Sequence, residues 1–574
     1  MSYQMVGKAV PRVEGGEKVT GGTQYASDVA VPGALWCKVL RSPVPHARIV
    51  NIDTSRAKWL AGVHEVLAGA DLPDIFIGLR MKDMPILARD RVLFVGEPVV
   101  AVAAESADVA DEALNLIDVQ YEELPAVYDP EEALKPGSPV LHEDRSQYKN
   151  APALPEEIPN LQSFTVWKHG DIEEGFKNAD RTFEHTFSTQ LTHHGYLEPH
   201  ACTMKVDSDG KVEVWASNKG PYSLRDNLAD ILGIEAKQIK VHIMSVGGDF
   251  GGKASMVDAP ICYFLAQRSG RPVKMVLGYD EELIAAAHRH PGVITLKTGV
   301  DRDGKITAMQ ADILFSGGAY AAFKANPPGT VLGGRRLASF YHVPAIHVVT
   351  RCAYTNQVGC TQSRTPGSPQ IVFATESQMD IIAREIDLDP AEFRRRNIID
   401  EGDPSPMGDK WDHIYARQTF EQAVKDSGWG RSKLGKNCGR GMAVYERGAP
   451  TGKASAAITI ETDGSITLLT GCPDIGTGFY TVAQQIVCET LGAAPERVRI
   501  RFEDTDSLPY DPGTGGSKST NTSGHAAYQV AREVRKRLVA LAARRLGCSP
   551  EKIQQEYGRF VGPGRKAVSF DEVA

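Results

Sequence analysis

The sequence predicts an α+β protein in which an N-terminal α/β part is followed by two related α+β units. Two observations predict this class. Strand-like and helix-like periodicities mix within the first 145 residues, and a hairpin–helix–strand pattern occurs twice farther along the chain. The chain has 574 residues, of which 42% are hydrophobic. That is enough material for about three or four domains with large cores.

The N-terminal part combines three predicted elements. Residues 96–104 form a valine-rich apolar run, residues 106–117 have helical spacing, and residues 118–124 alternate as a strand does. This order predicts a compact βαβ-like unit within an N-terminal domain over residues 1–145. A polar segment with three prolines, residues 146–163, is the predicted linker.

An internal repeat organises the rest of the chain. Each copy starts with two alternating runs around an Asp-Gly pair, at 201–217 and at 455–471. A helical stretch ending in Leu-Gly follows, and then an alternating strand leads to a glycine-rich loop, at 245–255 and at 513–520. The pattern favours a ligand held between two related halves, although loops that merely turn the chain would look the same.

A polar break at residues 400–412 separates the two copies, which predicts domains over 164–400 and 413–574. The first glycine-rich loop has the Gly-Lys spacing of a nucleotide-binding P-loop. Its next residue is Ala254, so the hydroxyl that would hold Mg²⁺ is missing. This substitution disfavours a nucleotide hydrolase.

Charge and composition exclude several classes of protein. The formal net charge is −8 without a long basic run, which disfavours nucleic acid or an anionic membrane as the main partner. No apolar stretch is long enough to span a membrane, and the first residues lack the apolar core of a signal peptide, so we expect a cytoplasmic protein. The nine cysteines include no C-x-x-C pair, so we expect no zinc ribbon or iron–sulfur cluster on this chain, and most should be buried.

Six further segments and the first glycine-rich loop together resemble the xanthine oxidase family of molybdenum hydroxylases. The loop VGGDFGGK is similar to the family's GGGFGGK. The other segments follow in the family's order, so that the resemblance covers nearly the whole chain: RSPVPHARIVNIDTSRA (41–57), GEPVVAVAAES (96–106), YLEPHACTMKV (196–206), YTNQVGCTQSRTPGSPQ (354–370), DIGTGFYTVAQQI (474–486) and GSKSTNTSGHAAY (516–528).

The resemblance implies the fold and the cofactor. It implies an α/β hammerhead-like domain, then a first molybdopterin-binding domain, then the N-terminal portion of a second, incomplete one. The glycine-rich loops would hold molybdopterin cytosine dinucleotide with molybdenum, or with tungsten in its place. The metal would be held by the pterin dithiolene and by no protein side chain. A [2Fe-2S] cluster and FAD would lie only on partner subunits.

The resemblance also implies the residues of the cofactor site. Glycine lets main-chain N–H groups approach a pyrophosphate, and hydroxyl side chains donate to its oxygens. Arg364 matches the arginine near the metal. The full set of implied cofactor-binding residues is Gly248, Phe250, Gly251, Gly252, Arg364, Gly476, Thr477, Gly516, Ser517, Lys518, Ser519 and Thr520.

Four positions depart from the family pattern. Lys219 and Thr477 stand where the family has glutamine, the first of which contacts the oxo ligand of the metal. Ala254 and Leu332 stand at or near two polar residues of the purine-oxidising members. We therefore expect Lys219, Ala254 and Leu332 near the oxo ligand or the substrate. A site without those polar anchors should not recognise xanthine, which favours a less polar or differently charged substrate.

A separate metal site at His193, His194 and His200 is not expected. Their segment alternates as a strand does, which would place the three side chains on different faces.

The resemblance implies a reaction and partners. A molybdenum hydroxylase inserts oxygen from water into an aromatic, heterocyclic, aldehyde or CoA-ester-type substrate, or catalyses the reductive counterpart. Two electrons pass to an iron–sulfur subunit and a flavin subunit. Alternatives are a molybdopterin-dependent hydratase or transhydroxylase without net redox chemistry, and a non-catalytic scaffold.

Family chains continue beyond the point that matches residue 574, in a segment that carries the glutamate acting as base. No candidate for this glutamate occurs here. We therefore expect no catalytic residue on this chain. A second molybdopterin-domain polypeptide would supply the base in a dimer of heteromers, although a fragment of a longer chain would look the same.

Overall fold

The computed structural model describes residues 3–254, 259–324, 331–431, 434–448 and 450–574. Its strands, in chain order, are β1 (Leu35–Arg41), β2 (Ala47–Asp53), β3 (Val63–Ala68), β4 (Phe76–Ile77), β5 (Met84–Pro85), β6 (Arg91–Val92), β7 (Pro98–Ala104), β8 (Asp118–Glu123), β9 (Leu161–His169), β10 (Arg181–Thr189), β11 (Ala201–Val206), β12 (Val212–Ala216), β13 (Ile239–His242), β14 (Val273–Val276), β15 (Gly292–Val300), β16 (Ile306–Ser316), β17 (Ile346–Ala353), β18 (Ala456–Ile460), β19 (Ile466–Thr470), β20 (Val498–Arg501), β21 (Gln554–Glu556), β22 (Arg559–Val561) and β23 (Ala567–Ser569).

The α-helices alternate with these strands along the chain. They are α1 (Gly15–Thr20), α2 (Ser55–Lys58), α3 (Ala107–Leu114), α4 (Pro130–Ala133), α5 (Ile172–Lys177), α6 (Pro221–Leu232), α7 (Ala259–Ser269), α8 (Tyr279–Ala285), α9 (Ser368–Glu385), α10 (Pro390–Asn397), α11 (Ala416–Asp426), α12 (Phe479–Leu491), α13 (Ser523–Leu546) and α14 (Phe570–Val573).

A seven-stranded sheet in the order β13-β12-β11-β14-β1-β7-β3 joins the N-terminal part to the first repeat unit. The strand β1 pairs with β14 in parallel, so the sheet continues across residue 145. Every residue of β7 is buried, as expected for an apolar strand near the middle of a sheet. Most cysteines are also buried, as predicted. The seven buried cysteines of the nine are Cys37, Cys202, Cys262, Cys352, Cys360, Cys472 and Cys488.

The predicted βαβ-like unit is wrong in its pairing. Its three elements exist, as β7, α3 and β8. However, β7 pairs antiparallel with β1 and β3, whereas β8 pairs with β2 in a separate three-stranded sheet. The short helix α3 therefore connects two sheets and is not a crossover within one.

A five-stranded sheet in the order β10-β15-β16-β17-β9 forms the other half of the first large domain. The buried helix face of α9 packs on it, with Ile371 and Met379 in the same core as Ile294 and Phe315. The strand β9 begins at Leu161, so the last three residues of the predicted linker belong to this sheet.

The two repeat units have the same topology, which confirms the predicted duplication. In the first, the antiparallel hairpin β11–β12 is followed by α6 and by β13, which runs parallel to β12. In the second, the hairpin β18–β19 is followed by α12 and by β20, which runs parallel to β19. Helices α6 and α12 both end at a left-handed glycine, Gly233 with φ 65° and Gly492 with φ 61°.

The two units join directly at their third strands. Ile243 donates its N–H to the carbonyl of Glu503 at 2.7 Å, and Thr505 donates to the carbonyl of Val241 at 3.0 Å. His242 and Asp504 form an antiparallel bridge between these hydrogen bonds. Each glycine-rich loop follows this junction closely along the chain. The junction therefore brings the two loops together.

None of the helices in the described part of the chain is both long enough and apolar enough to cross a membrane.

Candidate functional site

Three loops meet at one cavity of about 430 Å³. We call residues 245–254 the first glycine loop, residues 474–478 the middle loop and residues 513–520 the second glycine loop. Val246 donates its N–H to the carbonyl of Asp474 at 2.9 Å, and Thr514 donates to the carbonyl of Lys219 at 2.9 Å. Main-chain hydrogen bonds therefore tie both repeat units into the wall of a single cavity.

The first glycine loop is pressed against residues 362–364. Gly251 has φ +116°, and a Cβ there would lie 2.0 Å from the carbonyl oxygen of Gln362, so only glycine fits. Arg364 donates its N–H to the carbonyl of Phe250 at 3.0 Å. Its guanidinium lies 4.6 Å from the centroid of the Phe250 ring, in a cation–π contact that holds an exposed cation at the cavity.

A buried ion pair supports the first glycine loop from below. Glu198 Oε2 accepts from the N–H of Gly247 and from Lys253 Nζ, each at 2.7 Å. Lys253 has no exposed surface, and its ammonium lies 4.8 Å from the centroid of the Tyr196 ring. Burial lowers the pKa of Lys253, and the charge of Glu198 opposes that shift. Lys253, the lysine of the P-loop-like Gly-Lys spacing, therefore supports the loop from within the protein and does not line the cavity.

The histidines of residues 193–200 lie behind the same loop. The segment is irregular, so the predicted strand alternation is wrong. His200 Nδ1 lies 2.7 Å and His193 Nε2 3.8 Å from Oε1 of the buried Glu282, which also accepts from the hydroxyl of Tyr196. Burial raises the pKa of Glu282, but its charged and hydrogen-bonded neighbours outweigh burial and lower it. Among the described residues no cluster has the composition of a metal site.

The second glycine loop is shaped by a buried carboxylate. Asp511 accepts from the N–H of Gly513 at 2.8 Å and from the hydroxyl of Ser523 at 2.6 Å. Burial raises the pKa of Asp511. The hydroxyl of Thr514 donates to the carbonyl of Pro473 at 2.7 Å, which links this loop to the middle loop.

The N-terminal segment covers the outer side of the middle loop. Arg12 donates to the carbonyl of Gly476 at 3.0 Å, and Lys18 pairs with Asp474. Asp474 also accepts from the N–H of Gly476 at 2.9 Å, which closes the turn. The loop is thereby fixed at the start of α12, whose first turn faces the cavity through Phe479 and Val482.

Nine of the residues predicted from the sequence line the cavity, in the list Lys219, Phe250, Gly251, Arg364, Thr477, Gly516, Ser517, Ser519 and Thr520. Among the predicted residues whose side chains the structure describes, Gly248, Gly252, Gly476 and Lys518 do not line it. Gly248 and Gly252 pack against the side chain of Tyr196, where an added Cβ would lie within 2.9 Å and 2.7 Å of it. Gly476 and Lys518 contribute to the turns of their loops through main-chain groups.

The departures from the family pattern fall in different places. Lys219 lines the cavity, and its ammonium pairs with Asp249 at 3.1 Å. Ala254 is half-buried at the end of the first glycine loop and does not line the cavity. Leu332 lies in a short 3₁₀ helix, Val331–Arg336, and its side chain is outside the described part of the chain.

The sequence reasoning missed several cavity residues. Asp249 is a charged residue inside the first glycine loop, and this position in the sequence could have identified it as a cavity residue. Thr365 follows the predicted Arg364 directly and has a positive φ of 53°. Arg447 lies in an irregular segment without any pattern, and it reaches the carbonyl of Gly516 at 3.2 Å.

A second cavity of about 880 Å³ lies along residues 410–448, with walls that include Trp411, Tyr415 and Trp429. It is the larger of the two, but it contains none of the predicted site residues. It shares Arg447 with the three-loop cavity. We place the candidate site at the smaller cavity, because the glycine loops, hydroxyls and cations converge there.

The residues of the three-loop cavity fit an anionic cofactor that carries phosphate groups. Hydroxyls of Ser517, Ser519 and Thr520 supply donors, and Arg364 and Arg447 supply cations. The first turn of α12 lines the cavity at Phe479 and Val482, so the positive end of the helix dipole lies at its wall. A Cβ at Gly516 would meet no atom within 4 Å, so that the main chain there is open to a ligand.

The fold and this site define a molybdopterin-binding chain, and comparisons with known proteins agree. The molybdopterin cofactor-binding domain matches residues 154–398 and again residues 410–574. The aldehyde oxidase and xanthine dehydrogenase a/b hammerhead domain matches residues 20–125. The chain belongs to the xanthine oxidase family and is a molybdenum-dependent oxidoreductase of that family.

Individual relatives are similar over most of their length. A probable xanthine dehydrogenase subunit of Bacillus subtilis (strain 168) is 32% identical over 94% of this chain and 72% of the relative. The nicotinate dehydrogenase large molybdopterin subunit of Eubacterium barkeri is 32% identical over 69% of this chain and 89% of the relative. The crystal structure of quinoline 2-oxidoreductase from Pseudomonas putida 86 superposes with a TM-score of 0.90 at 26% identity, over 100% of this chain and 76% of the other.

Proposed function

We propose that this chain binds molybdopterin cytosine dinucleotide in the three-loop cavity and serves as the cofactor-binding subunit of a multi-subunit molybdenum hydroxylase. The observation that carries the proposal is the convergence of glycine loops from both repeat units on one cavity, with hydroxyl and guanidinium donors in its wall. The bound cofactor would supply oxidation by insertion of oxygen from water, or the reverse reaction.

The roles of the chain's own residues follow from their chemistry. Ser517, Ser519 and Thr520 would donate to the pyrophosphate, and Arg447 would offset its charge. Phe250 and Gly251 would place the first glycine loop at the metal end, with Arg364 held over Phe250 beside it. Thr477 would complete the wall at the start of α12. Because main-chain hydrogen bonds hold the loops that carry these groups together, little reorganisation of the loops is needed on binding.

We propose that the catalytic base comes from a partner polypeptide. Among the described residues, Asp249 is the carboxylate that lines the cavity, and its two oxygens are occupied. They accept from the N–H groups of Gly251 and Lys253 and from the ammonium of Lys219. A carboxylate committed in this way is a poor general base. A [2Fe-2S] subunit and an FAD subunit would complete the electron path.

The substrate class follows from the polarity of the cavity. Phe250 and Ile475 give its wall an apolar surface. A substrate less polar than a purine fits this surface better, whether an aromatic compound, a less polar heterocycle, an aldehyde or a CoA ester. Relatives that oxidise nicotinate and quinoline, as their names state, support a small aromatic heterocycle in particular.

The test is an assay of the complex isolated with its natural partners. Quinoline and nicotinate are supplied with and without a dye that accepts electrons, and the product is analysed after reaction in ¹⁸O-labelled water. We expect turnover of a heterocycle that requires the dye and incorporates one ¹⁸O atom. Water addition that proceeds equally without the dye would instead identify a hydratase. A complex that contains no molybdenum would exclude both.

A further inference from the structure

The side chains of Lys219 and Asp249 form an ion pair in the cavity wall. The Lys219 ammonium lies 3.1 Å from Asp249 Oδ2, and the two side chains are 15% and 4% exposed. Both members of this ion pair line the three-loop cavity, and no other ion pair among the described residues has both members there. The pair as a whole is neutral.

Lys219 connects the two glycine loops through its main-chain N–H and carbonyl groups. Its N–H donates to the carbonyl of Lys253 in the first glycine loop at 3.2 Å. Its carbonyl accepts from Thr514 in the second glycine loop at 2.9 Å. The approach is so close that a Cβ at Gly513 would lie 2.3 Å from this carbonyl oxygen. The Lys219 side chain is therefore attached to main chain that both loops hold in place.

Asp249 fixes the shape of the first glycine loop on its side. Oδ1 accepts from the N–H of Lys253 and Oδ2 from the N–H of Gly251, each at 2.9 Å. These two main-chain donors and the ammonium of Lys219 occupy both carboxylate oxygens, and the ammonium balances the charge of the carboxylate. Removal of either charge would leave the other uncompensated in a largely buried wall.

We propose that Lys219 and Asp249 are a positioning pair that locks the two glycine loops together and sets the net charge facing the bound cofactor. This inference rests on the proposed function. The pair is neutral as a whole, so the Lys219 cation is committed to Asp249 and is not a free charge toward substrate. An electrostatic role predicts opposite effects of the two single substitutions on the cofactor, whereas loss of loop structure alone predicts the same effect from both.

The first test uses the cofactor-free chain. The variants Lys219→Gln, Asp249→Asn and the double variant form a double-mutant cycle in urea unfolding. Each single substitution should shift the unfolding equilibrium constant toward the unfolded chain. We expect the product of these two factors to exceed the factor in the double variant by roughly tenfold or more. The same cycle at the exposed pair of Lys211 and Asp209, with Lys211→Gln, Asp209→Asn and their double variant, is the matched control and should show no such excess. Additive effects would overturn the lock between the loops.

The second test uses the loaded complex and measures the reduction potential of the bound molybdenum by redox titration. Lys219→Gln leaves a negative charge in the wall and should lower the potential, whereas Asp249→Asn leaves a positive charge and should raise it. The double variant and Lys219→Arg should stay near the parent value. Shifts of equal sign, or no shift, would overturn the electrostatic role. A parent complex without molybdenum would refute the proposed function, while the unfolding cycle would still decide the lock.

Discussion

Thr505 accepts a hydrogen bond from the main-chain N–H of Val241 through its side-chain hydroxyl, at a distance of 3.0 Å. Its own N–H donates to the carbonyl of Val241, also at 3.0 Å. This reciprocal contact joins the third strand of the first repeat unit to the chain that follows β20 in the second. Since the glycine loops begin just beyond it, the spacing of the cavity depends on this junction.

Thr505→Val should destabilise the chain by about 1–3 kcal/mol, because the replacement keeps the volume but leaves a buried N–H without its acceptor. The measurement is the free energy of unfolding in urea. Thr505→Ser keeps the hydroxyl and should lose much less. A loss in Thr505→Ser but not in Thr505→Val would show that the methyl group, and not the hydrogen bond, matters at this junction.

Glycine has different roles in the two glycine loops, and single glycine-to-alanine substitutions distinguish these roles. Gly251→Ala should destabilise the cofactor-free chain by roughly 2–4 kcal/mol, because its left-handed φ and the Gln362 carbonyl both oppose a Cβ. Gly515→Ala should change stability by less than about 0.5 kcal/mol, since its Cβ would meet only Lys219 Cε at 3.9 Å.

The same two variants, Gly251→Ala and Gly515→Ala, should both bind less molybdenum, because both substitutions alter the cavity wall. Metal analysis of the complexes should show reduced molybdenum per chain in each. Full molybdenum content in Gly515→Ala would contradict a close approach of the cofactor to the second glycine loop.

Arg364 should contribute to cofactor binding and little to folding. Arg364→Met should weaken cofactor retention by about 10–100-fold, the worth of a hydrogen bond to a charged group, and leave unfolding nearly unchanged because the side chain is exposed. Arg364→Lys keeps the charge and should retain more of the cofactor. The distant, exposed Arg302 provides the control substitution Arg302→Met. Equal cofactor retention in Arg364→Met and this control would contradict the assignment.

Stability should depend on pH through a carboxyl group in the N-terminal part. Burial raises the pKa of Glu97 from 4.5 to about 7, although Leu93 and Tyr320 donate hydrogen bonds to it. Between these values the folded chain holds a proton that the unfolded chain releases, so stability falls as the pH rises from 4.5 to about 7.

The size of that loss is on the order of 3 kcal/mol for the pKa difference. Glu97→Gln should flatten the slope of the unfolding free energy against pH across this window. Glu122→Gln at the surface should leave the slope in place, as the side chain of Glu122 is 57% exposed. An unchanged slope in Glu97→Gln would contradict the shifted pKa.

Local sequence patterns predicted the repeat correctly because its signals are local. Asp-Gly turns, alternation and a Leu-Gly helix end each depend on a few neighbouring residues, and all appear where expected in β11 to β13 and in β18 to β20. The pairing of β7 with β1 and β3 has no such signal. It depends on contacts between segments far apart in sequence, and the βαβ-like prediction failed for that reason.

The candidate site divides in the same way. Motif spacing placed Phe250, Arg364 and Ser517 at one cavity. It did not predict that Lys219 turns to Asp249, because that choice depends on how two loops 30 residues apart in sequence meet. The alternation that predicted a strand around His193 and His200 was wrong, because that segment is irregular and lies around the buried Glu282.

The measurement that tests the central claim most directly is the nucleotide and metal content of the chain isolated with its natural partners. Acid hydrolysis followed by chromatography measures CMP, and mass spectrometry measures molybdenum. If glycine loops from the two repeat units jointly hold molybdopterin cytosine dinucleotide, each chain should yield one CMP and one molybdenum atom, and Gly515→Ala should reduce both in parallel. A chain that yields neither, or that yields ATP or a flavin from this cavity, would contradict the account.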